Sequence, residues 1–148
     1  MNQPHAGLYK AYNRANHTVS KTRQVVMLYD GAIRFLKQAM EAIEAKDYET
    51  RYHKLVRVSD ILMGLQGCLD FDAGGSSARM LYDFYSSLDL KLFTLHRTND
   101  LKAAEGILAE LKEMRDVWDS IDRGGEEKPQ PQAIAPTAPG ADAVTVSA

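Results

Sequence analysis

Hydrophobic positions in this chain recur with a helical period in four successive segments. Apolar side chains return every three or four residues across roughly 20–44, 48–69, 77–97 and 101–121, which is the spacing that lines one face of an α-helix. No proline occurs from position 5 to position 128, and a proline inside a helix would remove a backbone donor and clash with the preceding turn. The pattern therefore predicts four long helices.

Short polar joints separate the predicted helices. The joint "AKDYE" contains Asp47 and the joint "TNDLK" contains Asn99 and Asp100, and such side chains are suited to N-cap the helices that follow. The stretch "DFDAGGSS" at 70–77 has the glycines and small polar residues of a loop. Because two of the connections are very short, neighbouring helices must run antiparallel. We therefore predict an all-α fold, an antiparallel up-down four-helix bundle that spans residues 20–121.

Both ends of the chain depart from this pattern. Residues 1–19 form an N-terminal arm that carries two large aromatic side chains, Tyr9 and Tyr12, among small, polar and basic residues. Residues 122–148 are rich in Pro, Ala, Gly and Gln and show no amphipathic period. Such a composition buries too little apolar surface to offset chain entropy. We therefore predict a disordered C-terminal tail, to which the sequence assigns no role.

Composition and charge narrow the class of protein. The 148 residues carry a formal net charge of −2, so no strong field favours nucleic acid or an anionic membrane as a partner. The N-terminus lacks the apolar core of a signal peptide, and no segment reaches the run of about 20 apolar residues that a membrane helix needs. The single cysteine, Cys68, cannot form an internal disulfide and is expected to be a small buried side chain. We expect a soluble cytoplasmic protein that neither inserts into a membrane nor binds nucleic acid.

Motifs for metal or phosphate chemistry are weak or missing. Glu-x-x-His, which holds metals in ferritin-like bundles, does not occur in the sequence. The run that starts at Asp70 looks like the opening of a calcium loop, but its twelfth position is Leu81 where a bidentate Glu is required. The run "GGSS" lacks the lysine and the preceding strand of a phosphate-binding loop. We therefore expect no catalytic residue, no metal site and no cofactor.

Histidine chemistry supplies an alternative function. Helical bundles also serve as phosphotransfer domains with one exposed helical histidine, and His53 in "RYHKLVRVSD" is the candidate. Phosphotransfer domains typically continue with Leu-Lys-Gly and a small residue, whereas here the next four residues are Lys-Leu-Val-Arg. A solvated histidine beside a core stripe fits these residues better. A third interpretation is a structural bundle that only self-associates through apolar faces.

The predicted helices carry more apolar residues than one bundle seam requires. Residues 25–29 are all apolar or aromatic, and four large side chains fall off the main stripes: Met27, Phe35, Phe84 and Phe93. Four glycines lie inside predicted helices, each about 1 kcal/mol less favourable than alanine: Gly31, Gly64, Gly67 and Gly106. These features fit either a wide core face or a second apolar surface that accepts a partner. The candidate residues of such a groove are Met27, Phe84, Gly64 and Gly67.

Two long runs resemble the flagellin-specific secretion chaperones of the FliS family. The run "AYNRANHTVSKTRQVVMLYDGAIRFLKQAMEAIEAKDY" is similar to the N-terminal half of that family, with an aromatic-bearing arm and a "MLYDGAIRFL"-like first helix. The run "LDFDAGGSSARMLYDFYSSLDLKLFTLHRTNDLKAAEGILAELKEMRDVWDSI" is similar to the second half. One departure lies at the start of the first helix, where the family commonly has Ser-Pro and an acidic residue. Here "SKTRQ" places Lys21 and Arg23 at the positive end of the helix dipole.

The resemblance implies a function without catalysis or a cofactor. Members of the family form antiparallel four-helix bundles that bind the disordered C-terminal segment of flagellin in the cytoplasm. They hold it as helices over apolar grooves, prevent premature polymerisation and present it to the flagellar type III export gate. The resemblance also implies that the arm folds back over part of the binding surface. Tyr9 and Tyr12 would then be a removable cap, whose loss would favour self-association.

Overall fold

The computed structural model describes residues 19–124, in which all regular structure is helical. Four helices follow one another: α1 (Lys21–Glu44), α2 (Tyr48–Gly67), α3 (Phe71–Thr98) and α4 (Leu101–Asp122). The predicted all-α, four-helix fold is confirmed. The cap residues Tyr9 and Tyr12 lie outside the described residues, and so does the predicted tail beyond Gly124.

Helix α1 begins where the sequence placed it, although its first turn holds no acidic residue. Ser20 is the N-cap, and its hydroxyl oxygen accepts a 3.0 Å hydrogen bond from the backbone N–H of Arg23. The negative charge that this first turn lacks is supplied by α4. Asp119 and Asp122, in the last turn of α4, bind the guanidinium of Arg23.

The short joints behave largely as predicted. Asp47 caps α2 by accepting from the N–H of Thr50, and Asp100 caps α4 by accepting from the N–H groups of Lys102 and Ala103. Asn99 differs from the expectation, because it ends α3 instead of starting α4. Its backbone is left-handed, with φ of 52°, a conformation that asparagine tolerates at helix C-termini.

The expected loop at 70–77 is wrong for most of its length, because the chain is already helical from Phe71. Asp70 causes the early start: one carboxylate oxygen accepts 3.0 Å hydrogen bonds from the N–H groups of Asp72 and Ala73. The helix is then interrupted at Gly75, whose φ of 49° and ψ of −128° are not helical. Glycine adopts this conformation without a Cβ clash, so the first turn of α3 is set at an angle to the rest.

The helices pack in a ring in which α1 and α3 lie diagonally opposite. Helix α1 contacts α2 and α4 extensively, whereas α3 contacts the same two helices at far fewer points, and α3 and α4 are the least closely packed neighbours. One core fills the centre, and its bulkiest fully buried side chains are mostly leucine: Tyr29, Leu36, Leu55, Leu62, Leu69, Leu88, Leu92, Leu95, Ile107 and Leu111. Burial of each such side chain contributes about 1.5–3 kcal/mol. Cys68 is also buried, as predicted.

Two tyrosines connect the diagonal helices through the core. The hydroxyl of Tyr29 on α1 donates a 2.8 Å hydrogen bond to the hydroxyl of Tyr85 on α3. Burial raises the pKa of Tyr85 to about 12 and that of Tyr29 well above its ordinary value. Both phenols therefore stay neutral and satisfy each other across the bundle, which a buried polar group requires.

Candidate functional site

The largest group of exposed apolar side chains lies along α2 and α3. Tyr52 and Met63 on α2 are 52% and 61% exposed, and Phe93 on α3 is 62% exposed. The exposed Tyr82 and the half-buried Val56 complete the set, which we call the α2–α3 face. Tyr52, Val56 and Met63 share one side of α2 at helical spacing, and Tyr82 and Phe93 share one side of α3. Exposed apolar side chains collected along two neighbouring helices typically mark a surface for a partner.

Contacts at both ends show that these two stripes border the same groove. At one end, the amide nitrogen of Gln66 donates to the carbonyl of Tyr82 at 3.1 Å and to Ser86 Oγ at 2.8 Å. At the other end, the rings of Tyr52 and His96 meet edge to face with centroids 5.6 Å apart. The antiparallel register between these contacts sets Val56 opposite Phe93.

Cationic side chains flank the α2–α3 face at its two ends. Arg51 Nη1 donates to the carbonyl oxygen of His96 at 2.8 Å and to Asn99 Oδ1, which fixes the guanidinium beside the Tyr48 ring. At the far end, Arg79 lies 5.5 Å from the centre of the Tyr82 ring. Burial lowers the pKa of His96, and the charge of Arg51 lowers it further. Each end of the face therefore carries a guanidinium, of which Arg79 is also paired with Asp83 at 3.6 Å.

The opposite side of the bundle, between α1 and α4, is closed by ion pairs. Arg23 bridges Asp119 at 2.7 Å and Asp122 at 2.9 Å, and Arg115 bridges Asp30 at 2.9 Å. These pairs join the N-terminal part of α1 to the C-terminal part of α4. The charged groups that this edge presents to a partner are already paired with one another.

A second opening lies between the C-terminal half of α3 and the N-terminal half of α4. It encloses about 400 Å³ and is lined by Lys91, Thr94, Ala103, Gly106, Ile107 and Glu110. The ammonium of Lys91 donates to both carboxylate oxygens of Glu110, at 2.8 and 2.9 Å, and spans the opening. We call this opening the α3–α4 groove.

The four groove candidates from the sequence do not lie together. Met27 is 58% exposed on the outer side of α1, while Phe84 is only half-buried on α3 and packs against the core with its ring 5.6 Å from that of Tyr85. Gly64 and Gly67 lie on α2, half-buried and exposed respectively. A Cβ added to Gly67 would meet no atom within 4 Å, so no described segment of this chain passes close to it.

Four of the five residues of the α2–α3 face, all except Phe93, were not singled out as surface candidates by the sequence. Tyr48 and Tyr52 follow the apolar period of α2, which predicts core positions for them, yet both are about half exposed. Met63 and Tyr82 lie between the apolar stripes of their helices and were not among the predicted surface residues. The available signal was the spacing of eleven residues, three helical turns, that separates Tyr52 from Met63 and Tyr82 from Phe93.

His53, the alternative phosphotransfer residue, lies exposed on α2 beside the ring of Tyr52. Within residues 19–124, no cluster of three His, Cys, Asp or Glu side chains could hold a metal ion. None of the helices in this range is long and apolar enough to cross a membrane.

Comparison with known proteins identifies the family. The profile of the family described as "Flagellar protein FliS" matches residues 5–125. The chain is 25% identical over 120 residues to the flagellar secretion chaperone FliS of Vibrio cholerae, covering 78% of this chain and 88% of the relative. It is 26% identical over 115 residues to the Campylobacter jejuni protein of the same name, covering 76% and 89%, and 28% identical over 112 residues to that of Bacillus subtilis, covering 74% and 82%. The family match includes all of the described residues, and the chain belongs to the FliS family, which is a family of flagellar secretion chaperones and not of enzymes.

Proposed function

We propose that this protein is a cytosolic export chaperone that binds the disordered C-terminal segment of flagellin on its α2–α3 face. The observation that carries the proposal is the row of exposed apolar side chains on that face, which includes Tyr52, Met63 and Phe93. Membership of a flagellar secretion chaperone family supports a secreted flagellar protein as the guest.

The physical basis is recognition of amphipathic helices in an apolar groove. A guest that folds on binding loses chain entropy, so the host must offer a large apolar contact area to offset that loss. Tyrosine and methionine suit such a surface: a tyrosine ring buries area while its hydroxyl stays hydrated, and methionine adapts to the guest's shape. The guest's C-terminal segment would be unable to take part in filament contacts while it is bound, so early polymerisation is prevented until the complex reaches the type III export gate.

The N-terminal arm is the natural regulator of this surface. We propose that Tyr9 and Tyr12 cover part of the apolar surface when flagellin is absent and are displaced when it binds. Deletion of residues 1–15 tests this role. A removable cap predicts an intact fold, altered affinity for flagellin and increased self-association in sedimentation. Loss of stability with unchanged affinity would instead mean that the two rings hold the arm to the bundle permanently.

The deciding experiment is a pull-down with intact flagellin and with flagellin that lacks its C-terminal segment. We expect binding to intact flagellin only. Phe93→Asp should abolish binding, because it places a charge on the apolar surface of the α2–α3 face. Met27→Asp is the matched control, since Met27 is equally exposed but lies on α1.

Two outcomes would contradict the proposal. Binding that survives removal of the flagellin C-terminus would exclude the proposed guest segment. Loss of binding with Met27→Asp and not with Phe93→Asp would move the site to α1. His53→Gln separates the phosphotransfer alternative, because it would abolish labelling by a sensor kinase and leave chaperone binding unchanged.

A further inference from the structure

The α3–α4 groove is open because its floor contains two small residues. Gly106 lies inside the N-terminal half of α4, where glycine is about 1 kcal/mol less favourable than alanine, and a Cβ built on it would meet no atom within 4 Å. Ala103, one turn earlier, also lines the groove. The loose packing between α3 and α4 leaves this space unfilled by either helix. An apolar cavity of about 400 Å³ has room for an aliphatic side chain.

The chain leaves α4 in a way that turns it away from the helix axis. The N–H of Gly124 donates a 3.1 Å hydrogen bond to the carbonyl of Ile121, and Gly124 has a φ of 71°. A left-handed glycine at this point ends the helix and changes the direction of the backbone.

The length of chain beyond Gly124 matches the distance to the groove. Along α4, Gly106 lies 16 residues before Asp122, which is about 24 Å at 1.5 Å per residue. Ile134 follows Gly124 by ten residues, which span at most about 33–36 Å when extended. A chain that turns back beside α4 is therefore long enough to bring position 134 level with the groove.

The sequence around this position has the chemistry that the groove requires. Ile134 is the only large aliphatic residue between 125 and 143 and has an alanine on each side. Small flanking residues allow a backbone to enter a narrow groove, while the isoleucine supplies the apolar side chain. We propose that residues 133–135 dock in the α3–α4 groove of the same chain, with Ile134 over Gly106 beside the Lys91–Glu110 bridge.

Other occupants are less well placed. The N-terminal arm is joined to α1, whose backbone packs against α2 and α4 and not against α3, so α4 separates the arm's attachment point from this groove. The proposal does not depend on flagellin binding, which we assign to the α2–α3 face.

The test is methyl NMR spectroscopy on the full-length protein. We expect NOEs from the Cδ1 methyl of Ile134 to the methyl groups of Thr94 and Ile107. Gly106→Leu should fill the groove and remove these NOEs, while Gly67→Leu, at an exposed glycine with equally open surroundings, should leave them intact. A sample that mixes differently labelled chains establishes whether the contact is within one molecule.

Three results would overturn the proposal. The first is an Ile134 methyl with a random-coil shift and no NOE to the bundle. The second is NOEs to Tyr52 or Phe93, which would place the tail on the α2–α3 face. The third is NOEs found only between chains, which would make a second copy the occupant. Because flagellin is absent from every sample, none of these results bears on the proposed chaperone function.

Discussion

The carboxylate of Asp122, the last residue of α4, accepts a 2.9 Å hydrogen bond from Nε of Arg23 in the first turn of α1. The other carboxylate oxygen of Asp122 accepts from Thr22 at 2.8 Å and from Ser20. A negative charge at the N-terminus of a helix is favourable, and a positive one is unfavourable. Because the helices are antiparallel, α4 supplies at this point the acidic group that the first turn of α1 lacks.

This arrangement predicts loss of stability in acid. Hydrogen bonds from Ser20, Thr22 and Arg23 lower the pKa of Asp122, and the hydrogen bond from Arg23 lowers that of Asp119. Since both pKa values are lowered by folding, the stabilisation is present above the unfolded value of about 3.9 and disappears as the pH falls through the folded values. Urea unfolding from pH 7 to pH 2.5 should show a steep loss of stability below about pH 4.

Asp122→Asn should lower the unfolding free energy at pH 7 and reduce the slope below pH 4, because the ionised group that responds to acid is gone. The control is Asp116→Asn, which changes a carboxylate that is 75% exposed and contacts only Arg115 at 3.4 Å. An identical acid profile for Asp122→Asn and the wild type would show that the cross-helix cluster does not stabilise the fold.

The tyrosine pair in the core predicts a non-additive mutant cycle. Tyr29→Phe or Tyr85→Phe alone leaves one buried hydroxyl without its partner and should cost about 1–3 kcal/mol. The double substitution removes both polar groups and should cost less than the sum of the two single changes. Urea unfolding of the four proteins measures this coupling, and strict additivity would contradict it.

The same pair predicts sensitivity to alkali. Folding raises the pKa of both phenols, to about 12 for Tyr85 and well above its usual value for Tyr29. Their contribution is therefore complete below pH 10 and is lost as the pH rises towards 12. The double phenylalanine variant should lack this part of the alkaline decline, whereas Tyr82→Phe, at an exposed tyrosine, should retain it.

Glycines at 67 and 75 should respond in opposite ways to alanine. Gly75→Ala forces a side chain into a left-handed conformation and should destabilise the bundle by about 1–2 kcal/mol. Gly67→Ala places a methyl group in open space on a helix and should stabilise it by about 0.5–1 kcal/mol. Thermal unfolding measures both. If Gly67→Ala also weakens flagellin binding, the glycine serves the guest; unchanged binding would remove Gly67 from the candidate groove.

The four-helix bundle was predictable from the sequence because many residues repeat the apolar period of its helices. The α2–α3 face was not, because it consists of only a few side chains. The core stripes and the caps Asp47 and Asp100 each determine local structure directly. The start of α3 was missed because Asp70 forms a cap just before the glycines that suggest a loop. Tyr52 follows the apolar period of α2 and is nevertheless exposed, because periodicity locates a stripe but not its edge, and the neighbouring α3 leaves that edge uncovered. Whether a neighbouring helix covers such an edge depends on the angle at which the two helices pack and not on the local spacing of apolar residues.

His96 predicts a further dependence on pH near neutrality. Burial and the nearby charge of Arg51 lower the pKa of His96 below its ordinary value of 6.5. The unfolded chain therefore takes up a proton at a higher pH than the folded chain, and stability should decline as the pH falls below about 6.5 until the folded histidine is also protonated. Because the His96 ring packs against Tyr52, the same protonation should weaken flagellin binding over this range.

His96→Gln should flatten both pH profiles between pH 5 and pH 7, as measured by urea unfolding and by flagellin titration. His53→Gln is the matched control, since His53 also lies beside the Tyr52 ring but is exposed. A stability profile that flattens while the binding profile does not would mean that His96 acts only on the fold. In that case the end of the face near Tyr52 does not contact the guest.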